Sequence, residues 1–229
     1  MSARANYGID APTVVRNMLA GGAALLVIGL TSRLRPLIGP GVGLTIGGLL
    51  MIWASKVGKI RLARRAIERL RLGGDERVLD VGCGHGLMLI AAARQLTTGR
   101  AVGVDIWSQR DQAGNRPEAT LRNAELEGVR DRVEVSDGDA RQLPFDAGTF
   151  DIVVSNLVIH NIADRAGREQ ALREIGRVLK PGGRLAIIDI ARTGEYARVL
   201  QSLGFRDVHR SAPTFMWVAP TRILTATRP

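Results

Sequence analysis

The feature that most constrains this chain is an alternation of short apolar strands with amphipathic helices that begins at Arg77. Such alternation is typical of a parallel sheet with helices on both faces, so residues 73–229 are expected to form one α/β domain. No helix separates the last two strands, which are therefore expected to pair antiparallel. The predicted strands are 77–81, 101–105, 133–137, 152–156, 185–190, 207–211 and 217–226, and the predicted helices are 87–95, 119–127, 168–179 and 195–203.

A second constraint is the near absence of charge close to the N-terminus. Residues 36–55 are 20 consecutive uncharged residues, about the length that a helix needs to cross the hydrocarbon core of a bilayer. Residues 17–32 are uncharged for 16 residues, which is short for a full span unless the helix tilts, inserts shallowly or its flanking arginines snorkel. Two segments, about 14–32 and 36–55, therefore predict a helical hairpin that makes residues 1–55 a membrane anchor.

Two other interpretations of these apolar segments stay open. A secretory signal would end in a small-residue cleavage site, whereas Arg33-Leu34-Arg35 follows the first segment. Alternatively, both segments are buried helices packed against the rest of the chain, since apolar length alone does not separate a short span from a core helix.

Glycines recur at helical spacing in both apolar segments. Gly39, Gly43 and Gly47 are four residues apart, and Gly22 and Gly29 are seven apart. Small residues at such spacings allow helices to approach closely in lipid. We therefore predict that these glycines form helix contacts within the hairpin and in a homo-oligomer.

The basic residues of the chain are concentrated next to the apolar segments. The net charge is +10, and seven basic residues against one acidic residue between Lys56 and Arg71 supply +6 of it. This placement predicts a basic amphipathic helix at 56–72 on anionic lipid headgroups, with the domain on the cytoplasmic side. Arg33 and Arg35 would then lie on the far side, a mild conflict with the positive-inside bias. Only nine aromatic residues are present, so we expect no nucleic-acid partner.

A glycine-rich bend follows the first predicted strand and leads directly into a helix. Glycines there let the backbone turn sharply and let a ligand approach closely. Their spacing is G-x-G-x-G, whereas a dinucleotide fingerprint requires G-x-G-x-x-G. The bend therefore predicts a nucleoside with a compact charged tail rather than NAD. Its candidate binding residues are Asp80, Gly82, Cys83, Gly84, His85 and Gly86.

Polar residues also end the next three parallel strands, where open α/β sheets bind ligands. Asp105 is placed to accept hydrogen bonds from ribose hydroxyls, and Asp139 is placed to bind an adenine amino group. Taken singly, an Asp at a strand end is usually a turn residue or a helix cap. The further candidates around these acids are Ile106 and Trp107 against the adenine, Gly138 and Ala140 beside Asp139, and Ser155, Asn156 and Leu157 after the fourth strand.

With these motifs in order, residues 73–229 resemble the class I S-adenosylmethionine-dependent methyltransferases. The motifs that carry the resemblance are VLDVGCGHG, VGVD, GDARQLPF, FDIVVSNLVIHNI and LKPGGRLAIID. The chain is most similar to the branch that includes the ubiquinone and menaquinone C-methyltransferases and other small-molecule enzymes.

The resemblance implies a Rossmann-like, seven-stranded, mostly parallel sheet in the order 3-2-1-4-5-7-6 with the last strand antiparallel. It implies S-adenosyl-L-methionine as cofactor and S-adenosyl-L-homocysteine as product. The implied contacts are Asp80, Gly82, Gly84 and Gly86 with the methionine moiety, Asp105 with the ribose, Asp139 and Ala140 with the adenine, and Asn156 with the methionine portion and the acceptor.

Two connections depart from the usual pattern of this superfamily. The segment that follows Asp105 is long and polar, WSQRDQAGNRPEAT, and exceeds what a strand-to-helix connection needs. The connection after Asp189 is short and leaves no room for the acceptor lid that many members build there. By elimination, we expect 107–117, 213–216 and the helix at 57–72 to cover the acceptor site.

The candidate catalytic residues are His160 and Asn156. A general base is needed only if the nucleophile is a weakly acidic hydroxyl, a carbon acid or a protonated amine. His160 is the best candidate for it, although a loop histidine bonded to the backbone is equally compatible with the sequence. We expect His85 to contact the cofactor and His209 to be structural. Weaker candidates for the base are Asp111, Asp189 and Tyr196.

These residues together predict a membrane-associated methyltransferase whose acceptor is a lipophilic small molecule such as a quinone, an isoprenoid or a lipid. Residues 155–158 lack the Asn/Asp-Pro-Pro-aromatic motif of superfamily members that methylate nucleic-acid or glutamine amines. Cys83 is assigned no redox role, and the spacing of histidines and cysteine predicts no metal site. Two alternatives are methylation of a protein lysine at the membrane and a non-catalytic S-adenosylmethionine-binding membrane protein.

Overall fold

The computed structural model describes residues 5–109, 112, 114–216 and 219–229. An N-terminal helical region precedes the α/β domain. Its helices are α1 (Pro12–Thr31), α2 (Ile38–Trp53) and α3 (Lys59–Leu70), and the domain continues with β1 (Arg77–Val81), α4 (Leu87–Ala93), β2 (Arg100–Asp105), α5 (Pro117–Leu126), β3 (Val133–Asp137), β4 (Phe150–Asn156), α6 (Arg165–Val178), β5 (Leu179–Asp189), α7 (Thr193–Ser202), β6 (Arg206–Arg210) and β7 (Arg222–Thr227).

The strands form one sheet in the order β3-β2-β1-β4-β5-β7-β6, as the resemblance implied. β1 lies between β2 and β4 and pairs with both in parallel, while β7 pairs antiparallel with β5 and β6. Chain order reverses between β1 and β4, so their carboxyl ends border a crevice. Crevices at such reversal points are where open α/β sheets bind ligands.

The last strand is shorter than predicted. The expected strand at 217–226 begins only at Arg222, and an isolated bridge between Thr214 and Thr221 precedes it. Residues 217 and 218 lie outside the described part of the chain.

The hydrophobic core occupies both faces of the sheet. Helices α6 and α7 cover one face, where Tyr196 and Leu200 are fully buried. Helices α3 and α4 pack on the other face. The apolar side of α3 is buried through residues such as Ala66 and Ile67, while its arginines point outward. The basic helix is therefore amphipathic, as predicted, and it belongs to the core of the domain.

Helices α1 and α2 form a hairpin that stands apart from this core. α1 packs mainly against α2. By length and composition, α1 and the continuous helical stretch Arg35–Leu70, which contains α2 and α3, are each able to cross a membrane. Only 17% of the most apolar window of either stretch is buried. Side chains such as Leu30 and Val27 are exposed, and so this apolar surface has no partner within the described residues.

The glycines at the hairpin interface are only partly those expected. Gly22 and Gly29 do face α2, where an added Cβ would collide with Thr45 and Ile38 respectively. On α2, however, Gly41 and Gly48 lie against α1. Gly47 lies against Met18 of α1, as predicted, whereas Gly39 and Gly43 have nothing within 4 Å. The predicted role of those two in the contact within the hairpin is therefore wrong, because the face of α2 that meets α1 runs through Gly41 and Gly48.

Candidate active site

A cavity of about 540 Å³ opens at the carboxyl ends of β1, β2 and β4. Most of the residues singled out in the sequence line it. They are Asp80, Gly82, Cys83, Gly84, His85, Asp105, Ile106, Gly138, Asp139, Ala140, Asn156, Leu157 and His160. Residues separated by 80 positions along the chain are thus collected at one edge of the sheet, because parallel strands place their carboxyl ends side by side.

Three predicted binding residues are not among those that line the cavity. Ser155 is buried in β4, where its hydroxyl donates to the Val81 carbonyl at 2.9 Å. Gly86 is the N-cap of α4 and lies behind the bend. Trp107, which was expected against an adenine, instead donates its indole N–H to Oδ1 of Asp137 at 2.6 Å and packs on the α4 side of the core. A left-handed backbone at Trp107, with φ of 56°, turns the ring away from the cavity, while the neighbouring Ile106 lines it.

The glycine bend leaves room that side chains would occupy. Gly82 and Gly84 adopt φ values of 72° and 50°, which strain any residue with a Cβ. A Cβ at Gly82 would overlap the side chain of Val158, and one at Gly84 would overlap that of Gln112. The bend therefore requires glycine at both positions. As a result, backbone atoms and not side chains line this part of the cavity.

Asp80 lies beneath this bend and is only 2% exposed. Its Oδ2 accepts a hydrogen bond from the backbone N–H of Leu89 in α4 at 2.8 Å. Burial raises the pKa of Asp80 to about 8, against the opposing effect of the Leu89 hydrogen bond, and the nearby charge of Asp105 adds to the rise. A cationic ligand in the cavity would relieve this cost by pairing with the carboxylate.

Asp105 is held by three donors at the end of β2. Its Oδ2 accepts from the Gly84 N–H at 2.8 Å, and its Oδ1 accepts from the Trp107 N–H at 2.7 Å and the Asn115 side-chain amide at 3.1 Å. The carboxylate thus ties the glycine bend to the loop after β2. Its orientation is fixed before any ligand arrives.

Several buried polar atoms at the cavity have no hydrogen-bond partner among the described residues. Both ring nitrogens of His85 and the side-chain oxygen of Asn115 are of this kind. Buried polar groups are nearly always paired in folded proteins. A polar ligand beside the glycine bend would supply the missing partners, which fits a nucleoside with hydroxyl and amino groups.

Asp139 lies on the cavity rim and pairs with a neighbour. The carboxylate of Asp139 is 2.6 Å from the guanidinium of Arg141 and accepts the Arg141 backbone N–H at 2.8 Å. These contacts with Arg141 lower the pKa of Asp139 despite its partial burial. Cys83 is buried in the bend, which raises the pKa of its thiol well above the ordinary value and keeps it protonated.

The sequence reasoning missed the segment 5–11, which covers one side of the cavity. Tyr7, Asp10 and Ala11 line it, together with Met51 at the end of α2 and Lys59 at the start of α3. No motif marks this segment, and its position depends on contacts with residues about 50 or more positions away. The only feature of the sequence that marks the segment 5–11 is that it is polar and directly precedes an apolar helix.

Hydrogen bonds fasten this segment to the domain. Asn123 of α5 exchanges hydrogen bonds with the backbone of Asn6 at 2.9 and 3.0 Å and also donates to the carbonyl of His85. Lys59 donates to the carbonyls of Tyr7 and Gly8 at 2.8 and 3.2 Å. The segment therefore contacts both the glycine bend and the base of the hairpin.

The three expected covering elements have different positions. From the loop 107–117, Ser108, Gln112 and Asn115 line the cavity, while residues 110, 111 and 113, including the candidate base Asp111, lie outside the described residues. Lys59 lines it from the helix at 57–72. The loop 213–216 was wrongly expected at the cavity: it packs on the helical turn Ala54–Gly58, with the Met216 carbonyl against Gly58.

The remaining titratable candidates are separated by the fold. His209 lies on the edge strand β6, away from the cavity. Asp189 and Tyr196 are fully buried behind the cavity wall, whereas His160 forms part of that wall. Within the described part of the chain, no group of three or more His, Cys, Asp or Glu residues is arranged to hold a metal ion.

Part of this chain is similar to a known protein family. Residues 79–187 match the family model described as a methyltransferase domain. The chain is 36% identical over 135 residues to methyltransferase GfsG of Streptomyces halstedii, an alignment that covers 58% of this chain and 45% of that protein. It is 34% identical over 132 residues to demethylmenaquinone methyltransferase of Lactiplantibacillus plantarum, which covers 56% of this chain and 51% of that protein. The chain spans about half the length of these curated relatives.

The fold also occurs among solved structures. The [4+2]-cyclase SpnF is similar with a TM-score of 0.61 and 23% sequence identity, over 74% of this chain and 80% of that one. Since that protein is named for a cyclisation, this similarity indicates the fold alone.

Proposed function

We infer that this chain, which carries a domain of the class I S-adenosylmethionine-dependent methyltransferase superfamily, transfers the methyl group of S-adenosylmethionine to a lipophilic small molecule at a membrane surface. The transferase inference rests on two buried acids, Asp80 and Asp105, which lie at the ends of adjacent strands. Between them is the glycine bend, where Gly82 and Gly84 present only backbone atoms to the cavity. A quinone, an isoprenoid or a lipid is the acceptor class that we propose.

The residues of the cavity fit this cofactor. Asp80 would balance the positive charge of the methionine end, and the glycine bend would accept its close approach. Asp105 would bind the ribose hydroxyls, and the unpaired ring nitrogens of His85 and the rim around Asp139 would contact the remaining polar edges. When bound, the sulfonium supplies an already activated methyl group. The chain's own task is then to orient the acceptor within about 3 Å of that carbon and to exclude water.

The membrane part of the proposal rests on where the hairpin meets the cavity. Ala11, the residue before α1, and Met51, in the last turn of α2, both line the cavity. A bilayer around α1 and α2 would bring its headgroup region to this opening. An apolar acceptor dissolved in the bilayer would then reach the cavity without crossing water. Lys56 and the exposed arginines of α3 would face the anionic headgroups, on the cytoplasmic side.

The proposal is tested with the full chain in lipid nanodiscs. Calorimetry should detect binding of S-adenosylmethionine and S-adenosylhomocysteine, and radiolabelled methyl groups should pass into the lipid fraction of a membrane extract. Label in the protein fraction would favour lysine methylation instead, and binding without any transfer would favour a non-catalytic role. Absence of binding would overturn the methyltransferase inference altogether.

The proposed insertion of the hairpin into a membrane needs a separate experiment. Replacing Val27 or Leu49, both exposed and apolar, with arginine should release the protein from membranes on carbonate extraction, because a charge inside the hydrocarbon core is costly. Arginine at Leu126, an exposed apolar residue on α5 of the domain, is the matched control and should leave extraction unchanged. Equal extraction of all three variants would contradict a membrane-embedded hairpin.

A further inference from the structure

His160 lies on a single helical turn, Ile159–Asn161, directly after β4. Its Nδ1 is 2.6 Å from Oδ1 of Asp189, at an angle that departs from a directed hydrogen bond. The imidazole is 21% exposed and lines the cavity, whereas the Asp189 side chain is fully buried. Asp189 therefore acts on the cavity only through the histidine in front of it.

The carboxylate of Asp189 is fixed from several sides. Its Oδ1 accepts the backbone N–H of Ile190 at 2.7 Å, and its Oδ2 accepts the Tyr196 hydroxyl at 3.2 Å and the backbone N–H of His160 at 3.3 Å. Burial raises the pKa of Tyr196 far above its ordinary value, and the charge of Asp189 adds to the effect, so the phenol remains a donor. These hydrogen bonds hold Oδ1 in place, 2.6 Å from Nδ1 of the imidazole.

We propose that Asp189 is a positioning residue that holds His160 as the general base for the methyl acceptor. This inference rests on the proposed function, since it concerns the acceptor side of the same cavity. A carboxylate beside Nδ1 favours the tautomer that carries its proton there. The lone pair of Nε2 is then left for the acceptor, and the charge that develops on the ring faces Asp189, as in other carboxylate–histidine pairs.

A base at this place selects acceptors whose nucleophilic atom carries a proton. A neutral amine attacks through its free lone pair and needs no base, whereas a hydroxyl does. The acceptor class that follows is a hydroxylated ring or enol, which reacts through its oxygen or the adjacent ring carbon. For attack through oxygen, the O–H bond breaks and its proton forms the N–H bond at Nε2. The oxygen pair forms the new O–C bond, and the methyl–sulfur bond breaks with its electrons staying on sulfur. The imidazolium later returns the proton to water.

Other charged groups near His160 are engaged elsewhere or lie at the rim. Arg141 and Asp164 line the same cavity, with Arg141 paired to Asp139 and Asp164 capping α6. Arg168, at the start of α6, pairs with Glu195 of α7. Arg222, which is in register with Asp189 on β7, donates to the Ser211 carbonyl. Asp189 is thus the ionisable group in direct contact with the imidazole among those described.

The test compares His160→Gln and Asp189→Asn with the full-length wild type in nanodiscs, using a membrane lipid extract as acceptor. Both variants should bind S-adenosylhomocysteine with wild-type affinity by calorimetry, which also shows that they are folded. Transfer into lipid should fall about 100-fold or more in each. The difference in transfer rate between wild type and variants should become smaller as pH rises, because an acceptor hydroxyl that is already ionised no longer needs a general base. His209→Gln, on the edge strand, is the matched histidine control and should keep wild-type transfer.

A second readout does not depend on activity. Nitrogen-15 NMR of labelled imidazoles should show His160 protonated at Nδ1 in the wild type, and the fraction of this tautomer should fall in Asp189→Asn, because the carboxylate that favours it is gone. Near-wild-type transfer by both variants, a pH-independent loss, or a ring protonated at Nε2 would each overturn the inference. Failure of the wild type itself to bind the cofactor would instead overturn the proposed function.

Discussion

The ammonium group of Lys59 lies 3.0 Å from the carboxylate of Asp10, and the Lys59 side chain is only 6% exposed. These residues stand at opposite ends of the hairpin, one just before α1 and the other just after α2. Burial lowers the pKa of Lys59, against the raising effect of Asp10. The pair closes the base of the hairpin and holds the segment 5–11 over the cavity.

Replacing Lys59 with methionine should loosen this segment. The variant keeps an apolar chain of similar length but leaves Asp10 and two backbone carbonyls without the ammonium. We expect the free energy of unfolding to fall by about 1–3 kcal/mol. This is less than the usual cost of breaking a buried ion pair, because the Asp10 side chain is 22% exposed. Hydrogen-exchange mass spectrometry should show faster exchange at 5–11. Arg69→Met, on the exposed side of α3, serves as control, and equal exchange in both variants would contradict a tether.

The pKa of Asp80, about 8, predicts opposite effects of Asp80→Asn on stability and on binding. An unfolded Asp ionises near pH 4, so the cost of burying its charge grows from there up to about pH 8 and is constant above. The ligand-free variant should therefore unfold at a higher temperature than the wild type at about pH 8 and at a similar temperature at about pH 4. Its affinity for S-adenosylmethionine should drop about 10–100-fold.

The same group predicts proton release on binding. A cationic ligand lowers the pKa of a nearby carboxyl, so near pH 7 the wild type should release a fraction of a proton when the cofactor binds. Calorimetry in buffers of different ionisation enthalpy measures this number directly, and Asp80→Asn should lack the effect. An identical buffer dependence in both proteins would assign the proton to another group.

Asp105→Asn should weaken cofactor binding through the loop geometry as well as through the lost charge. One carboxylate oxygen becomes an NH₂ group that faces a donor, either the Gly84 N–H or the Trp107 N–H. We expect affinity to fall about 10–100-fold, from hydrogen bonds to a charged group worth about 1.5–3 kcal/mol. Asp137→Asn at the end of β3, which loses only charge in its bond to the Trp107 indole, should change affinity little. A similar fall in both would indicate a general loop effect.

Gly58→Ala should disturb the loop 213–216. A Cβ at Gly58 would overlap the backbone carbonyl of Met216, which a flexible side chain cannot relieve. Overpacking of this kind costs about 1–3 kcal/mol. Gly43→Ala, where a Cβ meets nothing within 4 Å, should be neutral or gain up to about 1 kcal/mol from helix propensity. Thermal unfolding in detergent would compare the two, and equal midpoints would contradict the contact.

The individual strands and the binding residues at their carboxyl ends were predictable because their signals are local, whereas the order of the strands came from the resemblance to the methyltransferase superfamily. Strand 77–81, the glycine bend and Asp80 form one continuous stretch, and parallel pairing then brings Asp105, Asp139 and Asn156 to the same edge without further information. The direction of Trp107 was not predictable. A left-handed backbone at that residue, set by the Asp105 and Asp137 contacts, decides which way the ring points.

By itself, the sequence determined the α/β architecture, the apolar hairpin and the glycine bend with its acids, since each follows from periodicity or spacing within a short segment. Only the tertiary structure decided the contacts between distant segments: Lys59 with Asp10, Asn123 with Asn6, and His160 with Asp189. Side-chain periodicity reports which face of an element is buried, but which partner meets that face depends on how the intervening chain crosses the sheet.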